Sequence, residues 1–449
     1  MKHLFITAIM IATVAGASAQ QWDKELNCFC VIAGRNATAD GSVMMAHNED
    51  DGGEQMLNLY VAPRTSEHNK YLWIEFPGSK VADHFLNEYG VACASDNCIS
   101  REDREDFTQG GVLYEVRTLV GQKARSAREG VKLVGQLVEQ RGYKGSRTYC
   151  IADPNEAWLC SLVKGRHWVA QRVPDDKVVC LPNNYIIDEV NLADTANFLG
   201  SPDLMSYARE RGWWDPERDG RFSFRKAYAR PDVFTLPRNV CREMWAQEML
   251  TGEVREYDPN TFPFAVTPNR KVTRQDLINI MQCHGLYSPH RPPQATNREW
   301  NHPTGICVDV TVVSAIFQLR ADMPREVGCV MWVCPGRPCT EPYFPLYLGR
   351  SESPKGWHRF ATAQEAIERH GEGKDLRKNY PDGKYWEMVD RWDSYARDWY
   401  NKTGDIKARR DRLQRQYDIQ AINTERKAAR YYHGTQVTNP TALEKLLNK

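Results

Sequence analysis

The sequence predicts an α+β fold built from stacked layers, and three observations carry that expectation. Strand-like runs and helical periodicities come in blocks (strands, helices, strands, then helices) rather than in a regular βαβ alternation, which argues against a Rossmann sheet. No internal repeat and no Gly-rich phosphate loop ending in Gly-Lys interrupts the pattern. The chain has 449 residues, 41% of them apolar, with 30 Gly and 24 Pro, so it can bury a sizeable core and is neither disordered nor collagen-like. At about 150 residues per domain the length allows about three domains, or one large enzyme domain with insertions.

The elements follow in order. Residues 28–50 read as a hairpin: CFCVIAG, the polar turn RNATADGS with its Asp40-Gly41 pair, then VMMAHNED. Residues 71–98 hold two more strands, YLWIEF and GVACAS, separated by a loop. From Gly111 to Gly142 apolar residues recur at i, i+3 and i+4, first through Val112, Val116 and Val120, then through Val131, Val134 and Val138. Residues 147–187 return to short strands, with turns at Asp153-Pro154-Asn155 and Pro174-Asp175-Asp176. A helix is expected at 201–212. Another starts at Thr273, where Thr273 and Asp276 resemble a capping box, and Gly285 is its expected close. Strands resume at 306–320 and 327–334, and from residue 384 the aromatic and charged spacing predicts two helices.

The N-terminus carries an address. Lys2 and His3 precede an apolar run from Leu4 to Ala15, and Ala17-Ser18-Ala19 is a small-residue cleavage site. A run of about 12 residues is too short to cross about 30 Å of hydrocarbon as a helix. Residues 1–19 are therefore expected to be a cleaved export signal, sending the protein to a periplasm or out of the cell. No later stretch has the length and apolarity of a membrane span. Lys plus Arg is 59 against 58 for Asp plus Glu, a net charge of +1 that cleavage at residue 19 reduces to zero. There is no basic surplus to hold a phosphate backbone, so nucleic acid is not an expected partner.

Thirteen cysteines in an exported chain invite disulfides, and thirteen is odd. Cys150, Cys160, Cys180, Cys329 and Cys334 sit in strand-like runs, where a free cysteine behaves as a small apolar residue. Cys28 and Cys30 are one residue apart, and Cys329, Cys334 and Cys339 are each separated by four. Neither spacing is the paired C-x2-C of a structural zinc site. A G-x-S-x-G elbow is absent. Asp50-Asp51 and Glu102-Asp103 could act as glycosidase acids, but such doublets are ordinary on solvated surface. Cys28 is different. It opens the first strand eight residues after the expected signal cleavage, and removing Gln20 to Asn27 would make it the N-terminal residue. Its α-amine, with an unperturbed pKa of about 7.7–8.0, could then take the proton of a thiol of about 8.5 without a histidine. An ordinary strand cysteine fits the spacing too.

The segment CFCVIAGRNATADGS from Cys28 resembles the start of the cysteine dipeptidases of the Ntn-hydrolase superfamily: a catalytic Cys, a short strand, a Gly and a polar turn ending in Asp-Gly-Ser. Secernins share this pattern; choloylglycine hydrolases and penicillin V acylases are more distant relatives. The likeness continues through NEYGVA from Asn87, PNNYII from Pro182, FLGSPD from Phe198, KVTRQD from Lys271, TVVSAIFQLR from Thr311 and PLYLG ending at Gly349. It thus covers about residues 28–350. The resemblance implies an αββα four-layer sandwich with a C-terminal helical appendage. It divides the chain into a signal (1–19), a propeptide (20–27), a catalytic domain (28–383) and a helical extension of that domain (384–449).

The resemblance also implies a site. Cys28 matches the nucleophile. The R-N-x-D motif of the acylases, whose Asp contacts the nucleophile's amine, reads His47-Asn48-Glu49-Asp50 here, so Asp50 is kept and His47 stands in place of the Arg, as a substrate-binding residue. An imidazole can donate a hydrogen bond but offers no guanidinium fork. Asn97 falls at the acylase oxyanion Asn, Asn183 at the other Asn of the pattern with Asn184 one slip away at the substrate, and Arg242 at the distal Arg. The implied activity is exported cysteine-dependent hydrolysis of dipeptides or short peptides through a thioester, after autoproteolysis exposes Cys28. It uses no metal or organic cofactor, and self-association stays open. Two alternatives remain at this point: hydrolysis of bile-acid or other N-acyl amides, and a catalytically inactive exported binding protein.

Overall fold

The computed structural model describes residues 28–50, 57–75, 82–113, 115–285, 305–308, 310–358, 360–368 and 405–449. The expected signal and propeptide, Asp51 and residues 384–404 lie outside the described residues. The strands in chain order are β1 (Phe29–Ala33), β2 (Val43–Asp50), β3 (Asn58–Ala62), β4 (Tyr71–Glu75), β5 (Ala82–Asn87), β6 (Ala92–Asn97) and β7 (Arg147–Ala152). They continue as β8 (Ala157–Leu162), β9 (Trp168–Arg172), β10 (Val178–Leu181), β11 (Phe198–Gly200), β12 (Thr311–Leu319), β13 (Cys329–Pro335) and β14 (Phe344–Tyr347). One sheet has the order β10-β1-β2-β12-β13-β14, the other β11-β9-β8-β7-β6-β5-β4-β3. Their pairings are antiparallel throughout.

Alternation along the strands makes the layers. Cys30, Ile32, Val43 and Met45 of the six-stranded sheet meet Leu59, Leu72, Ala94, Cys150 and Leu159 of the eight-stranded sheet in one buried core. The opposite face of the six-stranded sheet, through Phe29, Val31, Met44 and Ala46, packs on a helical layer. That of the eight-stranded sheet, through Cys93, Ile151, Trp158 and Cys160, packs on another. The result is the four-layer αββα sandwich expected.

The helical stretch from Gly111 to Gly142 is divided into α1 (Glu115–Lys123) and α2 (Ala127–Arg141). Ser126 causes the break: its side chain accepts the Glu129 N–H, while Glu129 accepts from the Arg125 N–H. Gly135 of α2 is required by contact, since a Cβ there would lie 2.1 Å from the Trp168 ring. The expected helix at 201–212 is α3 (Leu204–Glu210). α4 (Pro237–Thr251) and α5 (Arg274–Met281) cover the six-stranded sheet. The capping box of Thr273 and Asp276 is formed, but α5 ends at Met281 and not near Gly285. β3 and β5 lie in stretches without a clear alternating signature. The first hairpin turn spans Gly34 to Ser42, as the polar stretch RNATADGS predicts, with Gly41 at φ +73° and Asp40 Oδ1 accepting from the Ser42 N–H and hydroxyl. At the C-terminus α6 (Asp405–Ala428) and α7 (Pro440–Leu447) put Ala421, Ala428, Leu443 and Leu447 into the outer core of the six-stranded sheet.

Within α4, Glu243 is buried and accepts a hydrogen bond from Gln247. Burial, opposed by Arg225, lifts its pKa from 4.5 to about 8. The folded state therefore prefers the protonated carboxyl. The stability this proton supports is complete below about pH 4.5 and is lost as pH rises toward 8. A neutral Glu243→Gln side chain avoids that loss. The variant should gain on the wild type between pH 5 and pH 8, on the order of 3 kcal/mol. Thermal melts at the two pH values check it; an unchanged gap would show that Glu243 does not titrate in this range.

All 13 cysteines are unbridged and buried, including the five expected in the core.

Candidate active site

Cys28 immediately precedes β1, and β1 lies between β10 and β2. The register pairs Phe29 with Asn48 and Cys30 with His47, so the end of β2 runs beside Cys28. Cys28 is 5% exposed, and its Sγ lies 3.7 Å from Glu49 Oε1. Burial raises the thiol pKa well above its usual value, helped by Glu49, Asp96 and Asp50; the Asp50 backbone N–H, directed at the sulfur, pulls the other way. A thiolate here needs a cation.

Arg242 on α4 organises the other side. Its Nη1 donates to the Cys28 carbonyl at 3.0 Å, and its Nη2 donates to Asn183 Oδ1 at 3.0 Å and Asn239 Oδ1 at 2.8 Å. Burial and Arg238 bring the guanidinium down to about 10, against the pull of Asp50, Asp96 and Cys28. Asn183 Nδ2 donates to the Asn97 carbonyl at 3.0 Å, and Asn239 Nδ2 to the Asn183 carbonyl at 3.0 Å. Cys28, Arg242, Asn183 and Asn97 thus form one connected group, although Asn97 enters it through its main chain. An amide nitrogen has two N–H bonds. The Asn97 contact uses one of Asn183's, leaving the other N–H uncommitted among the described residues.

Asp50 closes β2 with both carboxylate oxygens buried, the Thr311 hydroxyl directed at it and no cation at ion-pair distance among the described residues. Burial pushes its carboxyl well above the usual range, while Thr311, Arg242 and Arg238 act in the opposite sense. Such a carboxylate beside Cys28 is suited to a cationic donor.

Two expected roles change. His47 is fully buried: its Nε2 is 2.7 Å from Asp96 Oδ1 and its Nδ1 is 2.8 Å from His84 Nε2. Donors and acceptors must alternate along this chain. If Nε2–H donates to Asp96, Nδ1 is left to accept from His84 Nε2–H. With both ring nitrogens occupied between the sheets, His47 positions β2 against β6 and has neither nitrogen open to a substrate. Asn184 turns away from the group, donating to the Phe234 carbonyl at 3.2 Å. The Glu102-Asp103 doublet is engaged by Arg211, which fits a structural role.

Glu49, Asp96, His84, Arg117 and Asn239 escaped the sequence reading. Glu49 shares the inward face of β2 with His47 by strand alternation, a signal available in HNED. Asp96, His84 and Arg117 join only because β5, β6 and α1 come from the second sheet and its helical cover. Two groups among the described residues bring metal-type ligand atoms within 4.8 Å of one another: Cys28, His47 and Asp96, and His284, Cys307 and Cys339. The second joins residues far apart in sequence, which linear spacing could not reveal.

The profile of peptidase family C69 matches residues 92–370. The chain is 25% identical to a probable dipeptidase of Salmonella dublin over 358 residues, 73% of this chain and 82% of the relative. It is 24% identical to dipeptidase A of Lactobacillus helveticus over 372 residues, 74% of this chain and 78% of the relative. Among solved structures it is similar to penicillin V acylase of Agrobacterium tumefaciens (13% identity, TM-score 0.37, 72% of this chain and 86% of the other). It is also similar to a variant of the conjugated bile acid hydrolase of Clostridium perfringens (11% identity, TM-score 0.35, 69% and 89%).

Proposed function

Because the chain belongs to peptidase family C69 and is a cysteine-type dipeptidase, we propose that Cys28 is its nucleophile, exposed as the N-terminal residue after export and autoproteolytic removal of Gln20 to Asn27. One observation carries the reading: the buried Asp50 carboxylate close to Cys28 has no cation at ion-pair distance among the described residues, and a new α-ammonium on Cys28 would supply one. The same cation supports a thiolate that Glu49, Asp96 and burial oppose.

The chemistry then runs without a histidine base, consistent with His47 having both nitrogens engaged. The α-amine takes the thiol proton and Sγ attacks the peptide carbonyl carbon. The remaining Asn183 amide N–H faces the oxyanion, with Arg242 fixing the amide from behind. The ammonium returns its proton to the leaving amine of the second residue. Water, deprotonated by the same amine, hydrolyses the thioester and frees the first residue. Dipeptides and short peptides are the substrates in this reading, and no metal takes part.

The test is the mature N-terminus. Intact mass and N-terminal sequencing of active enzyme from its native compartment should place the first residue at Cys28. Active protein beginning at Gln20 would overturn the reading, because Cys28 would have no free amine.

A further inference from the structure

We propose that Glu49 is the binding group for the free α-ammonium of the substrate's first residue, so that this site selects peptides with an unblocked N-terminus. The inference rests on the proposed role of Cys28 and adds the basis of substrate choice.

Position is the first argument. For attack, the scissile carbonyl carbon must come to about 3–3.5 Å from the sulfur. With ordinary N–Cα and Cα–C bonds, the substrate's α-nitrogen lies about 2.5 Å from that carbon. The ammonium therefore lands within about 6 Å of Sγ, in the shell where Glu49 Oε1 stands at 3.7 Å. A peptide in the attack position can bring its ammonium to hydrogen-bond distance of this oxygen.

Elimination is the second. Three carboxylates act on the Cys28 thiol: Glu49, Asp96 and Asp50. Asp96 is fully buried and holds His47. Asp50, with both oxygens buried, is the partner assigned above to the nucleophile's own amine. Glu49 is the most accessible of the three, with 12% of its side chain exposed. Its conformation is held from behind. Glu49 Oε2 lies 3.8 Å from Arg117 Nη2, an ion-pair distance, and Arg117 Nε donates to Ser95 Oγ at 2.8 Å. Arg147 Nη1 donates to the same hydroxyl at 3.0 Å, so the arginine is braced against β6 and β7. One carboxylate oxygen is thereby anchored and the other faces the sulfur.

Charge is the third. Bringing a cation to this mostly buried carboxylate gives a charge-assisted hydrogen bond, and an N-acyl group in the same place offers none. A substrate blocked at the amine would leave the mostly buried Glu49 carboxylate facing a neutral group, which is how polar sites reject analogues lacking the matching group.

The experiment compares an alanyl dipeptide with its desamino analogue, in which hydrogen replaces the α-amine. The kcat/KM ratio of the two is the readout, measured in wild type, Glu49→Gln and Glu49→Asp. Wild type should favour the free amine, Glu49→Gln should reduce that preference by about 10- to 100-fold, and Glu49→Asp should restore part of it. A wild type that cleaves both substrates equally well overturns the inference. So does a Glu49→Gln variant that loses activity on both in the same proportion, because that is damage without selectivity. Neither outcome touches the assignment of Cys28, which fails if active protein retains Gln20 to Asn27 or if Cys28→Ala keeps its turnover.

Discussion

Cys28→Ala should abolish dipeptide hydrolysis and leave Gln20 to Asn27 attached, since the proposed cleavage uses the same thiol that attacks substrate. The effect is total because no neighbouring group among the described residues can replace it. Glu49 and Asp96 are carboxylates, and His47 is held between His84 and Asp96 without a free nitrogen. The alanine removes one sulfur atom and introduces no larger or charged group, so the fold should survive. Activity on a dipeptide panel and intact mass of the exported protein check both halves. Normal turnover in the variant would eliminate the thioester mechanism, and loss of turnover with normal trimming would assign the cleavage to another protease.

Asn183→Ala has the next largest expected effect. The substitution removes the proposed oxyanion donor, and losing one such donor typically lowers kcat by about 10²–10³. KM should change little, because the bond to a developing negative charge strengthens mainly in the transition state. A second consequence follows from the hydrogen bonds around it. Asn183 accepts from Arg242 and donates to the Asn97 carbonyl, so the truncation also leaves Arg242 with one acceptor fewer in a buried setting. Thermal melts beside the kinetics separate the two. A fall in stability with kcat preserved would make Asn183 a brace for Arg242 and move the oxyanion donor elsewhere.

Much of the scaffold was legible because alternation and capping are local signals. The runs CFCVIAG and TVVSAIFQLR show which side chains turn inward, and the capping box at Thr273 is complete within four residues. The limits were local too. Ser126 and Glu129 end one helix and begin another inside an unbroken apolar periodicity, because the capping bond outweighs continuation of the apolar pattern. In the site, the resemblance led to Cys28, Asp50, Asn183 and Arg242, which the structure brings together around one strand end. It gave His47 to the substrate, where burial between two sheets leaves the ring no face to offer. Asp96, His84 and Arg117 could not be read, because their nearness to Cys28 depends on how the second sheet stacks on the first.

The placement of β1 between β10 and β2 bears on how such an enzyme can keep its geometry. Chain ends ordinarily fray within nanoseconds to microseconds, and a nucleophile on the first residue would be blurred by that motion. Here the strand that begins one residue later has partners on both edges, and all five of its residues are buried. Opening it means separating the interior of a six-stranded sheet, an event near the global end of the range of local unfolding. The cut end of the polypeptide would thus be among its slowest parts to exchange with solvent, and thermal inactivation would follow the cooperative loss of the whole sheet.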